Sequence, residues 1–189
     1  MDTRNTTVTY KDSIIEAMSW LADQLDTVFI GQTITYGGSY LGNTLLHVPE
    51  SKKIELPVCE EMQMGMTLGM ALQGDICVVS LYPRINFLLL ALNQLVNHVD
   101  KIGIMSEQKM KPRIIIRTSI GPKEPLDGGP QHTGNYTRAV KDILTTVNVW
   151  QVSDGIVVEM YKHAYKSGGT WLFVEEGSRF QDEAAQESK

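Results

Sequence analysis

Long hydrophobic runs are missing from this chain. The longest, residues 87–92, is far too short to cross a bilayer, so a membrane-spanning helix is not expected. Cysteine is scarce: only Cys59 and Cys77 occur in 189 residues. Both lie in apolar stretches without metal-ligand spacing, which predicts two buried, reduced thiols and excludes a disulfide framework. A basic excess is absent too. Seventeen Lys and Arg against 22 Asp and Glu give a net charge of −5, with no footprint for nucleic acid. Residues 1–5 are polar and open no apolar signal core, so the sequence reads as that of a soluble cytoplasmic protein. In that setting the sequon Asn5-Thr6-Thr7 has no use. Nucleophile elbow, phosphate-binding loop, dinucleotide fingerprint and HExxH are all lacking.

What is present is an ordinary globular composition, 42% hydrophobic and 21% charged, on a length suited to one domain. Ile14, Ile15, Met18, Leu21 and Leu25 recur at helical spacing, with Asp12 placed to cap the helix start. Short apolar runs at 27–30, 52–56, 76–81, 112–117, 147–152 and 171–174 read as strands. Between them, 60–72, 85–99, 138–144 and 156–165 read as helices. Residues 36–40 form a loop opening a short helix, and 121–134, rich in glycine and proline, an irregular loop. This alternation predicts an α/β fold: a three-layer α/β/α domain on a mainly parallel sheet, occupying residues 1–177, with a polar tail at 178–189. Ligands of such folds bind where the strands end, in loops like 121–134.

Chemistry concentrates in few places. Pro57-Val58-Cys59-Glu60-Glu61 sets acids at a helix start, where the helix dipole favours them; adjacent acids diverge by about 100°, so at most one faces inward. Gly65 and Gly69 share one face of the same helix, which predicts a close approach by another helix. Met62, Met66 and Met70 form a second stripe, read as core filling, and the whole helix is expected to be buried. His132, in Gly128-Gly129-Pro130-Gln131-His132-Thr133-Gly134, has a loop position suited to a site; His47, His98 and His163 read as structural.

Several of these segments, taken in order, carry a resemblance. Tyr36-Gly37-Gly38-Ser39-Tyr40, Glu55-Leu56-Pro57-Val58-Cys59-Glu60, and Gly65-Met66-Thr67-Leu68-Gly69-Met70-Ala71 are followed by Ala91-Leu92-Asn93-Gln94-Leu95-Val96-Asn97-His98 and Met105-Ser106. Then come Pro112-Arg113-Ile114-Ile115-Ile116-Arg117-Thr118, Gln131-His132 and Leu172-Phe173-Val174-Glu175. Over residues 10–176 this series is similar to the beta subunits of 2-oxo-acid dehydrogenases, and Gly129-Pro130-Gln131-His132 also resembles transketolases. Both belong to the thiamine-diphosphate enzymes, and the matching part is their pyrimidine-binding domain.

The resemblance implies that Glu60 hydrogen-bonds the aminopyrimidine ring of thiamine diphosphate. Sharing a proton with that ring promotes the imino tautomer that activates the cofactor. It implies that Phe87 packs on the ring face, with Tyr82 a weaker cofactor contact, and that His132 and Gln131 meet substrate. No metal ligand is expected from this chain. The Mg²⁺ and diphosphate motif of the family, Gly-Asp-Gly with later asparagines, is matched by neither Gly74-Asp75-Ile76 nor Ser153-Asp154-Gly155. A partner chain would supply it, two copies of each forming a heterotetramer in which this domain also self-associates. The family's C-terminal domain is not expected from these residues, Gln32 stands where those subunits carry an acid, and Asp142 falls near a second family histidine. The implied reaction is carbon–carbon bond cleavage or formation beside a carbonyl, on a 2-oxo acid or a ketose. The competing expectation is a regulatory or interaction subunit that keeps the fold without chemistry.

Overall fold

The computed structural model describes residues 8–36, 38–152 and 155–181. The sequon, Gly37, Ser153-Asp154 and the tail from Asp182 lie outside the described residues. Thr27–Gly31 (β1), Lys53–Glu55 (β2), Cys77–Leu81 (β3), Arg113–Ile120 (β4), Asn148–Gln151 (β5) and Thr170–Glu176 (β6) form one sheet in the order β2-β1-β3-β4-β6-β5. Every pairing is parallel.

Both faces of the sheet are covered, which is why its central strands read as unbroken apolar runs. Phe29, Val79, Leu81, Ile115 and Phe173 point to the side packed by Tyr10–Asp23 (α1) and Val157–Ser167 (α6). Their neighbours Ile30, Val78, Ile114, Ile116 and Leu172 point to the opposite side. There Glu60–Ala71 (α2), the helical segment from Ile85 onward and Thr137–Ile143 (α5) supply Met64, Leu88, Leu95 and Val140. The three-layer α/β/α architecture is as the sequence predicts.

Local details differ. The α1 N-cap is Thr9, whose Oγ1 accepts from the Asp12 amide at 3.1 Å; Asp12 is the third helical residue, reaching back to the Thr9 amide at 3.2 Å. Asp12 is thus the second half of a capping box. Leu25 lies beyond the helix, exposed.

Residues 85–99 change pitch where one long helix was expected: α3 (Ile85–Leu88), a 3-10 turn (Leu89–Ala91), then a π-helical turn (Gln94–Val99). Through these changes Ile85, Leu88, Ala91, Leu95 and Val99 all stay buried on the sheet. The short helix α4 (Ile102–Met105) follows. After β6, Gly177–Gln181 makes a 3-10 turn that buries Phe180 against the rings of Tyr10 and Tyr40. His163 packs against Trp150 and Trp171. Among the described residues no helix is long and apolar enough to cross a membrane.

Candidate functional site

Because β1, β3 and β4 are neighbours, the described segments leaving their carboxyl ends (32–36 and 38–41, 82–87, and 121–134) meet at the carboxyl end of the sheet. The first is shaped by Glu55, at the end of β2. Its carboxylate accepts from the amides of Thr33, Ile34 and Thr35 at 2.5, 2.8 and 2.9 Å, turning the chain sharply after β1. Thr33 takes a positive φ of 59° in this turn.

The two acids of α2 part company as the helix geometry requires. Glu60 is 6% exposed, while Glu61 faces outward. Gln32 Nε2 donates to Glu60 Oε1 at 3.2 Å, and the Tyr82 hydroxyl donates to the Glu60 backbone carbonyl at 3.1 Å. Burial pushes the Tyr82 hydroxyl above the usual tyrosine range, and the nearby Glu60 charge adds to this against a lowering hydrogen bond with Ser80. Tyr82 therefore stays protonated and anchors the first turn of α2 to the end of β3. A carboxylate accepts up to about four hydrogen bonds, so Gln32, the one donor to it among the described residues, leaves Glu60 capacity for another partner.

Next to this anchor, Gly38, Ser39, Tyr40, Leu41, Pro83, Arg84, Phe87 and His132 line a cavity of about 210 Å³. Phe87 and His132 meet edge to face, ring centres 5.4 Å apart at 90°. The loop carrying His132 closes against Gly121: a Cβ there would lie 2.1 Å from the His132 carbonyl oxygen, so only glycine fits. Arg84 completes the wall. Its Nη1 donates to Pro83 O at 2.7 Å and Ser119 Oγ at 3.1 Å, and its guanidinium sits 4.9 Å from the centre of the Tyr40 ring.

Of the sequence-derived candidates, Phe87 and His132 line one cavity, and Glu60 and Tyr82 are joined by a hydrogen bond. Tyr82 is wholly buried and lines no described cavity, its hydroxyl on the Glu60 carbonyl; Gln131 is exposed beside His132. Sequence reasoning did not single out Arg84 or Tyr40 as site residues. The available signal was a charged residue in Leu81-Tyr82-Pro83-Arg84, directly after a buried strand.

Four other expectations are corrected. Met62 and Met66 are 39% and 37% exposed, outside the core. No neighbour lies within 4 Å of a Cβ built on Gly65 or Gly69, so among the described residues no helix approaches them. Helix α2 is buried only on the side of Glu60, Gln63, Met64, Thr67 and Ala71. Cys59 is exposed where burial was expected, because it is the N-cap residue of α2, outside the buried side of that helix; Cys77 is buried, and burial pushes its thiol up to about 12.

Among the described residues no three His, Cys, Asp or Glu side chains are placed to hold a metal ion. Asp142 is on the surface of α5, 3.7 Å from Arg138.

No family model matches the sequence, and neither does any curated protein. Among solved structures, the chain is similar to one described as a split-gene transketolase, an inactive beta4 tetramer. Identity is 14% over 89% of this chain, with a TM-score of 0.66. The alignment takes in 51% of that chain, so this sequence spans about half the length of the protein it matches. The fold is transketolase-like.

Proposed function

We propose that this chain is the pyrimidine-binding subunit of a split thiamine-diphosphate enzyme, which breaks or makes a carbon–carbon bond beside a carbonyl. The observation that carries the reading is Glu60: a buried carboxylate in the first turn of α2, its side chain bonded by Gln32 and its backbone carbonyl by Tyr82, with bonding capacity left over. An aminopyrimidine ring would use the Glu60 carboxylate for a ring nitrogen and lie against Phe87 and His132, which line the cavity that starts at Pro83, next in sequence to Tyr82.

When bound, thiamine diphosphate supplies the carbon nucleophile and electron sink for the reaction. Glu60 holds the shared proton at the ring nitrogen, and Phe87 fixes the ring by packing, worth about 0.5–1.5 kcal/mol beyond burial. His132 exchanges a proton with the substrate oxygen, with Gln131 alongside as a second polar contact. The diphosphate and Mg²⁺ are held by a second chain. The similar solved protein is inactive as a beta4 tetramer, which supports a subunit that works only with its partner. The exposed α2 face of Met62, Gly65, Met66 and Gly69 suits pairing between two copies within such an assembly. The substrate is a 2-oxo acid or a ketose.

Calorimetry of the co-expressed complex with thiamine diphosphate and Mg²⁺ tests the reading. Saturable binding by the complex, and none by this chain alone, is the predicted result. A complex that binds no cofactor contradicts it and favours a regulatory subunit.

A further inference from the structure

Arg84, just after β3, is placed unlike the two arginines of β4, Arg113 and Arg117. Arg117 spends its Nε and Nη2 on both oxygens of Glu175, at 2.8 and 2.9 Å, and Arg113 pairs with Asp26 at 2.5 Å. Arg84 has no carboxylate partner among the described residues. Burial draws its guanidinium below the usual arginine range, and the one opposing influence is Tyr40, not an acid.

Its hydrogen bonds all leave from Nη1, which Pro83 O and Ser119 Oγ hold in place. Its guanidinium carbon sits over the Tyr40 ring, 4.9 Å from the ring centre. Neither Nε nor Nη2 has a protein acceptor among the described residues. These two nitrogens form the same two-pronged edge that Arg117 applies to Glu175, the geometry that matches a carboxylate or phosphate. Space at that edge is kept by Gly121: a Cβ there would come within 2.9 Å of Nε. The cavity that Arg84 lines also holds His132 and Phe87.

We infer that the Nε–Nη2 edge of Arg84 binds an oxyanion group of the substrate, a carboxylate or a phosphate, and sets the reacting carbonyl beside His132. The inference rests on the proposed function for the identity of the site. A positioned, desolvated cation without a counter-ion selects substrates that bring the missing negative charge. A 2-oxo acid brings it next to the carbonyl, and a sugar phosphate brings it at the far end of the chain.

The test is a pair of NMR titrations of the full chain, with pyruvate and with inorganic phosphate at constant ionic strength, following the Arg84 Nε–H and His132 ring signals. One of the two probes is predicted to shift both signals saturably, and which one does so identifies the oxyanion. Arg84→Gln should abolish the saturable shift at His132, and Arg84→Lys, charged but without the fork, should weaken binding roughly tenfold. No saturable shift with either probe, or an unchanged shift in Arg84→Gln, overturns the inference. If that happens while the complex still binds thiamine diphosphate through Glu60, only the role of Arg84 falls. If Arg84-dependent anion binding stands and the complex binds no cofactor, the proposed function falls and the anion site remains.

Discussion

The guanidinium of Arg117 and the carboxylate of Glu175 face each other through two parallel hydrogen bonds, with neither side chain exposed. Burial works against the Arg117 charge, but the Glu175 carboxylate outweighs it and keeps Arg117 protonated, and the Tyr161 hydroxyl also donates to Glu175 Oε1. Arg117 Nη1 also donates to Thr44 Oγ1 at 3.1 Å, tying β4 to the segment after β1. Removing one partner leaves a bare buried charge. Arg117→Met or Glu175→Leu alone should cost about 3–5 kcal/mol in urea unfolding, and the double variant should recover much of it. A single variant within about 1 kcal/mol of the parent would show that the pair is replaceable by water or rearrangement.

Asp100 gives the fold an acid-sensitive joint. Burial alone would raise its carboxyl, but Lys101 and the donors at Thr145, Thr146 and Val147 outweigh this and hold it well below the usual aspartate range. A folded pKa below the unfolded value means the stabilisation is complete above the unfolded value and fades as pH falls toward the folded one. Asp100→Asn should cost about 1.5–3 kcal/mol at neutral pH. The gap between parent and variant should stay constant above about pH 5 and narrow below about pH 4. A gap that holds steady through acid titration would contradict the assignment.

Gly121 is predicted to be a point where the site breaks without losing a functional group. A methyl there collides with the His132 carbonyl and crowds Arg84 Nε. Gly121→Ala should cost about 1–3 kcal/mol and pull His132 off Phe87, visible as lost ring-current shifts between the two. Gly74→Ala, whose Cβ meets nothing within 4 Å, should stay within about 0.5 kcal/mol as the comparison. Equal effects at the two positions would dismiss the packing account.

Gly65 and Gly69 carry a prediction with opposite signs in two assays. Each Cβ would point into open space, so alanine should stabilise the isolated chain by about 0.5–1 kcal/mol per site through helix propensity. In the assembly the same face is proposed to meet a second copy, so Gly69→Phe should weaken self-association in sedimentation. Unchanged sedimentation would remove this face from the interface.

Much of this architecture is legible in the sequence, because strands buried on both faces cannot hide their composition. β1, β3, β4 and β6 stand out as apolar runs, and the start of α2 follows from paired acids after Pro57. The methionine stripe misleads because apolar spacing shows which residues avoid water and not what covers them. Met62 and Met66 have the right period for a core that is not there. The pitch changes in residues 85–99 leave no mark, since all three helix types tolerate the same leucines. Arg84 is illegible for another reason. Its surroundings come from Tyr40, Ser119 and Gly121, which are distant in sequence and meet only through the order β1-β3-β4.

The central claim concerns Glu60, and the proton it controls can be followed directly. In the complex with its diphosphate-binding partner, thiamine diphosphate and Mg²⁺, hydrogen–deuterium exchange at the thiazolium carbon of the cofactor reports activation before any substrate is added. Glu60→Gln, which keeps the shape and a hydrogen-bonding group, is predicted to slow that exchange by about 10²–10⁴-fold while cofactor still binds. Exchange at the parental rate in Glu60→Gln would contradict the account.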